Sequence, residues 1–455
     1  MTKRIETERL QESVREIWLE DDVPGVVVGI THEGRRAVAV SGTTSIDNPL
    51  PVTEQTLFQV GSITKTFTCL ALLQLVERGA LSLDVPLRSY LPEFRVVDEL
   101  CSQQVTARHL LTHTSGWEGD FFINTGRGAD ALAMYMAQMS ELEQVVPPGE
   151  LFSYNNAAFC LAGYLIERLS GLSFELVVEK YVLSPLGLDH TYFEASDVMT
   201  HRFAAGHIMT PERREVARPW ALPRCSFPAG GVITNVGDLL TYAEFYLGLA
   251  GMAGGDKPLL SPDLLSAMQT PQCWITSGSQ AIGLSWFIDA WNGERVLSHQ
   301  GSTNGQVASL FLVPGRNFAV AALTNSNRGG SFTRRMTRWA MHHTLDIKPA
   351  APTPVELSEV ELQAYAGHYG RPFAEVEITV ADHKLCAQVR YKLGFPARED
   401  APPPDPAPTL FTACNKDRFF EEGDSGASQE LSFFRDADGR VAFLRAMNRL
   451  HARSA

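Results

Sequence analysis

Residues 58–76, FQVGSITKTFTCLALLQLV, constrain this chain more than any other stretch. Residues 66–73 are apolar nearly all round, the pattern of a helix enclosed by a domain rather than laid on its surface. Ser62 and Lys65 stand three positions apart at the mouth of that segment. This is just under one helical turn, so both side chains emerge on one face and can meet by hydrogen bond. A helix cap would want Glu or Gln three residues after the serine, and the positive end of the helix dipole makes the first turn a poor place for a cation. No other lysine in the chain has a serine three positions before it. A lysine at the root of a buried helix, beside a serine, points to a nucleophile and its base.

The chain has 455 residues, too many for one ordinary domain, so a large catalytic unit and a smaller one are expected. The balance of 39 basic against 52 acidic residues gives a net charge of −13, which argues against nucleic acid or an anionic membrane as partner. The first residues, MTKRIETERLQESVREIWLEDD, have no apolar leader core, and no uninterrupted apolar run reaches about 18 residues; a cytoplasmic location is the expectation. The seven cysteines (Cys69, Cys101, Cys160, Cys225, Cys273, Cys386, Cys414) are scattered and never paired as C-x-x-C. They read as free thiols, with Cys69 and Cys160 in the core, and not as a disulfide frame or zinc site.

Along the chain, residues 4–19 have helical spacing, with Ile5, Leu10, Val14, Ile17 and Trp18 on one side. GVVVGI (25–30) and RRAVAVSG (35–42) read as a β-hairpin leading into the Ser62 segment. His109 and His113 stand at i, i+4 in HLLTHTSGW, but without the glutamate of H-E-x-x-H they read as packing and loop residues. Pro147, Pro148 and Gly149 force a turn before a helix from about Ala157 to Gly171, with Asn156 at its expected N-cap. Strands return at 293–301, 305–314 and 317–325, the last two joined by Pro-Gly-Arg-Asn. Sheet, helices and sheet again imply one antiparallel α/β sheet flanked by helices, shared by early and late strands, with a mostly helical lobe inserted. KPAAPTP (348–354) reads as a linker, dividing a domain of residues 1–347 from a small β-barrel-like one of residues 355–455. Its strands are expected at 376–380, 384–390, 429–435 and 439–445, with PAREDAPPPDPAP (396–408) as a mobile, proline-rich loop.

Three stations stand out in order: Ser62 with Lys65, Tyr154 with Asn156, and His299 with Gly301. Together they resemble the S-x-x-K, Y-x-N and K-T-G or H-x-G motifs of the serine β-lactamase and penicillin-binding-protein superfamily. HLLTHTSG, SYNNAAFCLAGYLIE, PAGGVITNVGDLLTYAEFY and SHQGSTNGQ are similar to the class C β-lactamase, D-aminopeptidase and family VIII esterase branch, over roughly residues 8–345. Residues 362–380 resemble the lipocalin-like barrels appended to some peptidases of that superfamily, where the barrel can cover the active-site mouth.

A serine hydroxyl needs a base beside it, and Lys65 serves only when neutral. From a reference pKa of about 10.4, working near pH 7 needs a depression of about three units, or ~4 kcal/mol. Burial, the helix dipole and cationic neighbours all push that way. The resemblance implies that Tyr154 joins this proton network, that Asn156, Gln300 and Gly301 bind substrate, and that the backbone N–H groups of Ser62 and Ser302 form an oxyanion hole. His299 stands where many β-lactamases carry lysine. An imidazole holds a carboxylate less firmly than an ammonium, which favours substrates without an obligatory carboxylate. The expected activity is an acyl-enzyme hydrolase of small peptides or amino-acid amides, D-configured ones among them, needing no metal or cofactor. The alternatives are a carboxylesterase or acyltransferase, a weak β-lactamase, and a catalytically silent binding module.

Overall fold

The computed structural model of the protein describes residues 6–249, 258–276, 280–421 and 429–454; Ile5 lies outside them. The early hairpin forms strands Gly25–His32 and Arg35–Gly42, and the late strands are Glu294–Thr303, Gln306–Val313 and Phe318–Thr324. Gly25–His32 pairs antiparallel with Phe318–Thr324, with Val26 opposite Thr324, so early and late chain share one eight-stranded sheet. Gly25–His32 is buried at every position, because helices cover both sheet faces. On one face Leu10 and Val14 of helix Thr7–Asp21 and Phe332, Met336 and Ala340 of helix Gly329–Leu345 pack against Val26, Val28 and Val320.

The other face carries the helical lobe. Helix Thr64–Glu77 is buried from Thr64 through Leu75, as its apolar circumference requires. Helix Asn156–Ser170 shares its core and stops at Gly171, whose φ of 70° is the left-handed conformation glycine supplies at a helix end. The cap differs from expectation. Asn155, not Asn156, is the N-cap, its Oδ1 accepting from the Ala158 N–H at 2.8 Å. Asn156 is the first helical residue, and its amide is left for other partners.

Beyond helix Gly329–Leu345 the chain forms a closed barrel in which each of eight strands pairs with its sequence neighbour and the first with the last. This is the up-and-down closure of lipocalins, which leaves no sheet edge. Tyr369, Phe411, Phe419 and Phe433 fill it. Four strands fall where the sequence places them, Ala374–Ala381, Lys384–Tyr391, Glu430–Arg435 and Val441–Ala446, and the first two alternate buried and half-buried positions over their leading residues. The other four, Gly367–Gly370, Thr409–Asn415, Arg418–Glu421 and Arg449–Arg453, are mostly short or rich in charge, and their pairing in the barrel forms them. The proline-rich stretch has no strand, but its leading end is docked and not loose. Phe395 packs edge-on against Phe122 at 5.0 Å, and the Arg398 N–H donates to the Phe122 carbonyl at 2.8 Å.

Candidate active site

Ser62 sits in a single 3-10 turn, Gly61–Ile63, that runs directly into helix Thr64–Glu77. Ser62 is therefore not the helix cap, and its hydroxyl is available to Lys65. The Lys65 Nζ lies 3.0 Å from Ser62 Oγ, 2.7 Å from Asn156 Oδ1 and 2.7 Å from the Ala229 carbonyl. The Tyr154 side chain neighbours that of Ser62, and its ring lies 5.0 Å from Lys65 Nζ. The first two stations thus meet around one serine.

The third station arrives on strand Glu294–Thr303. Strand and turn touch through glycines alone: a Cβ on Gly301 would fall 1.9 Å from the Val60 carbonyl oxygen and 2.7 Å from Ser62 N. One on Gly61, whose φ is 51°, would fall 2.6 Å from Ser302 N. Ser62 and Ser302 are thereby brought backbone to backbone. His299 is buried, with its ring 6.3 Å from that of Tyr154. Its Nδ1 lies 2.7 Å from the Gln300 carbonyl, which can only accept, so Nδ1 carries the proton and Nε2, which has no partner among the described residues, presents a lone pair. The Gln300 side chain is exposed, and its backbone carbonyl orients His299.

Burial dominates the electrostatics. It lowers Lys65 from 10.5 to about 7, opposed by Cys160 and Asp120 and aided by the Arg449 charge. It raises Tyr154 well above an ordinary phenol despite the neighbouring Ser62 hydroxyl and the Arg449 charge, so at neutral pH Tyr154 is a proton donor and not a phenolate. His299 is pushed down to about 3 by burial and by the Lys65 charge, and is neutral. His113 packs beside the site: its Nδ1 accepts from the Asn155 N–H at 2.9 Å, and its ring stacks on Tyr154 at 4.2 Å. His109 accepts from the Thr106 N–H in a capping box. Among the described residues no group of three or more His, Cys, Asp or Glu side chains is placed to hold a metal.

Sequence reasoning missed the residues that the barrel brings. The turn between strands Val441–Ala446 and Arg449–Arg453 reaches the catalytic lobe, where the Asn448 carbonyl accepts from the Tyr154 N–H at 2.7 Å. Arg449 lies 4.7 Å over the Tyr154 ring and donates to Asp120 from Nε at 2.9 Å and from Nη2 at 3.2 Å. Asp120 and Arg449 are 329 residues apart, and neither stands in a motif, so no local signal connects them.

The family model described as Beta-lactamase matches residues 4–344. Penicillin-binding protein 4 of Amycolatopsis lactamdurans is 30% identical over 376 residues, which are 79% of this chain and 97% of that protein. A beta-lactamase of Yersinia enterocolitica is 27% identical over 62% of this chain and 69% of its own. In fold, the crystal structure of SurE with D-Leu is similar over 98% of this chain and 99% of that one, with a TM-score of 0.73 at 23% identity. A class C beta-lactamase from Rhodobacter sphaeroides covers 74% of this chain and 99% of its own, with a TM-score of 0.59 at 25% identity. The chain belongs to the Beta-lactamase family of penicillin-binding-protein-like serine hydrolases, and it carries a closed eight-stranded barrel behind that family's domain.

Proposed function

We propose that the protein cleaves amide bonds of small peptides or amino-acid amides, D-configured ones among them, through an acyl-enzyme on Ser62. The observation that carries this reading is the Lys65 amine, 3.0 Å from the Ser62 hydroxyl and lowered to about 7 by burial. Neutral Lys65 takes the Ser62 proton as the hydroxyl oxygen attacks the carbonyl carbon, and the N–H groups of Ser62 and Ser302 receive the oxyanion. Tyr154 then gives its proton to the departing nitrogen as the C–N bond breaks, and the proton that Lys65 took from Ser62 replaces it on the tyrosine oxygen. An amide nitrogen leaves only when protonated, and burial keeps the Tyr154 phenol in its proton-bearing form at neutral pH. Water repeats the sequence on the acyl group.

A neutral His299 with a free lone pair accepts a hydrogen bond and does not hold a carboxylate by charge. The barrel turn at Asn448 and Arg449 stands beside Tyr154 and suits small or short substrates. A protein of the same fold crystallised with D-Leu fits the D-configured part of the reading. The second reading is β-lactam hydrolysis, favoured by the Yersinia relative's name; the missing ammonium at residue 299 ranks it lower.

Rates on p-nitroanilides of D- and L-amino acids, on p-nitrophenyl esters and on a penicillin test the proposal. Anilide turnover supports it. Ester turnover without anilide turnover makes the protein an esterase or acyltransferase, and penicillin turnover alone favours the second reading.

A further inference from the structure

Asn156 is held from both ends. Its Oδ1 accepts from Lys65 at 2.7 Å and its Nδ2 donates to Asp120 Oδ1 at 2.6 Å. A carboxylate accepts and an ammonium donates, so Asp120 fixes which end of the amide faces Lys65. Asp120 has 3% of its side chain exposed and lies in a four-member charge cluster that crosses the domain boundary. The catalytic domain supplies the acids and the barrel supplies the guanidiniums. Arg371 reaches Glu118 at 3.0 Å and Asp120 at 2.9 Å, and Arg449 reaches Asp120 at 2.9 Å. Glu118 also accepts from the Asp120 N–H at 2.8 Å, which fixes the loop that carries both acids.

We propose that Asp120 is a positioning residue that locks the Asn156 amide onto Lys65, and that Arg371 and Arg449 hold it there, making the barrel part of the catalytic apparatus. The inference rests on the acyl-enzyme reading of Ser62. Without the arginines, a buried carboxylate stands unpaired one amide away from Lys65, and it favours the protonated lysine.

The other titratable groups near Lys65 stay uncharged through neutral pH. Burial raises the Cys160 thiol and the Tyr154 phenol, and it lowers the His113 and His299 imidazoles. On the barrel side, Tyr391 is raised and His451, which accepts from Arg371 at 3.2 Å, is lowered to about 3, both by burial. The charges acting on Lys65 are then Asp120 and Arg449. Removing Asp120 and removing Arg449 have opposite effects on Lys65, which a merely structural role would not produce.

The test is the rate of Ser62 labelling by a fluorophosphonate across pH 5–10, in the full-length protein and in D120A, R449A and R449K. This readout needs no knowledge of the substrate. The wild-type rate is expected to rise through about pH 7. D120A should label slower by about 10²-fold at its plateau, because the amide is no longer held, with its midpoint moved to lower pH. R449A should move the midpoint to higher pH, and R449K, which keeps the charge, should restore it. Thermal melts of each variant identify any that does not fold, and the two Arg449 variants decide the matter if D120A is among them. Curves for D120A and R449A that superimpose on wild type overturn the inference and leave the acyl-enzyme reading standing. A folded wild-type protein that takes no label on Ser62 overturns both.

Discussion

Lys65 Nζ stands 3.0 Å from Ser62 Oγ, and its two other partners, Asn156 Oδ1 and the Ala229 carbonyl, are acceptors at 2.7 Å. Three acceptors around a buried amine fix where it points, and burial makes its neutral form accessible. The lysine is held by backbone and amide oxygens, so its ability to accept a proton is directed at the serine.

Lys65→Arg keeps the hydrogen-bonding reach and abolishes the neutral form, because a guanidinium stays protonated. Activity should fall by about 10²–10⁴-fold, the ordinary contribution of a general base. Comparing kcat/KM for wild type and K65R on one turned-over ester or anilide checks this.

The same amine makes stability depend on pH. Its folded pKa, about 7, lies below its ordinary 10.5, so between those values the unfolded chain binds more protons than the folded one. Stability therefore rises with pH across that window as far as Lys65 is concerned. Urea midpoints at pH 7 and pH 9.5 should differ in that direction more for wild type than for Lys65→Met, in which the titrating group is gone.

Gly301→Ala places a methyl 1.9 Å from the Val60 carbonyl oxygen and 2.7 Å from Ser62 N. Backbone must move, and it moves at the serine. A displacement of about 1 Å at a reacting centre costs on the order of 10²-fold. We expect kcat/KM to fall by that much while the melting transition remains cooperative.

Much of this site was legible in order along the chain. Ser62, Lys65, Tyr154, Asn156 and His299 each stand in a short pattern, and the one sheet shared by early and late strands follows from strands placed before and after a helical stretch. The helix cap misled because Asn155 and Asn156 are adjacent, and either side chain suits the position; only backbone geometry assigns it to Asn155. Three of the four unread barrel strands are short or charged, and closure stabilises them where propensity does not. Asp120, Arg371 and Arg449 were beyond reach for a related reason. Their meaning lies in a contact between two domains, and no spacing within either one encodes it.

That contact carries stability as well as position. Arg371 has 4% of its side chain exposed and pairs with Glu118 and Asp120. Arg371→Ala leaves two buried carboxylates with one fewer partner, a loss of the class that costs about 3–5 kcal/mol. A lower denaturant midpoint in R371A measures it. Arg390→Ala, whose guanidinium is 53% exposed beside Glu375 and Glu377, should be near neutral.

The central claim is that substrate becomes bonded to Ser62. Rapid quenching of the full-length protein during turnover of an amino-acid p-nitrophenyl ester, followed by peptide mass mapping, tests it most directly. An acyl-enzyme on Ser62 shows as the mass of the acyl group on the peptide that holds Ser62, at a level that falls in K65R and vanishes in Ser62→Ala. Turnover that persists in Ser62→Ala, or an acyl group found on another residue while Ser62 stays unmodified, would contradict it.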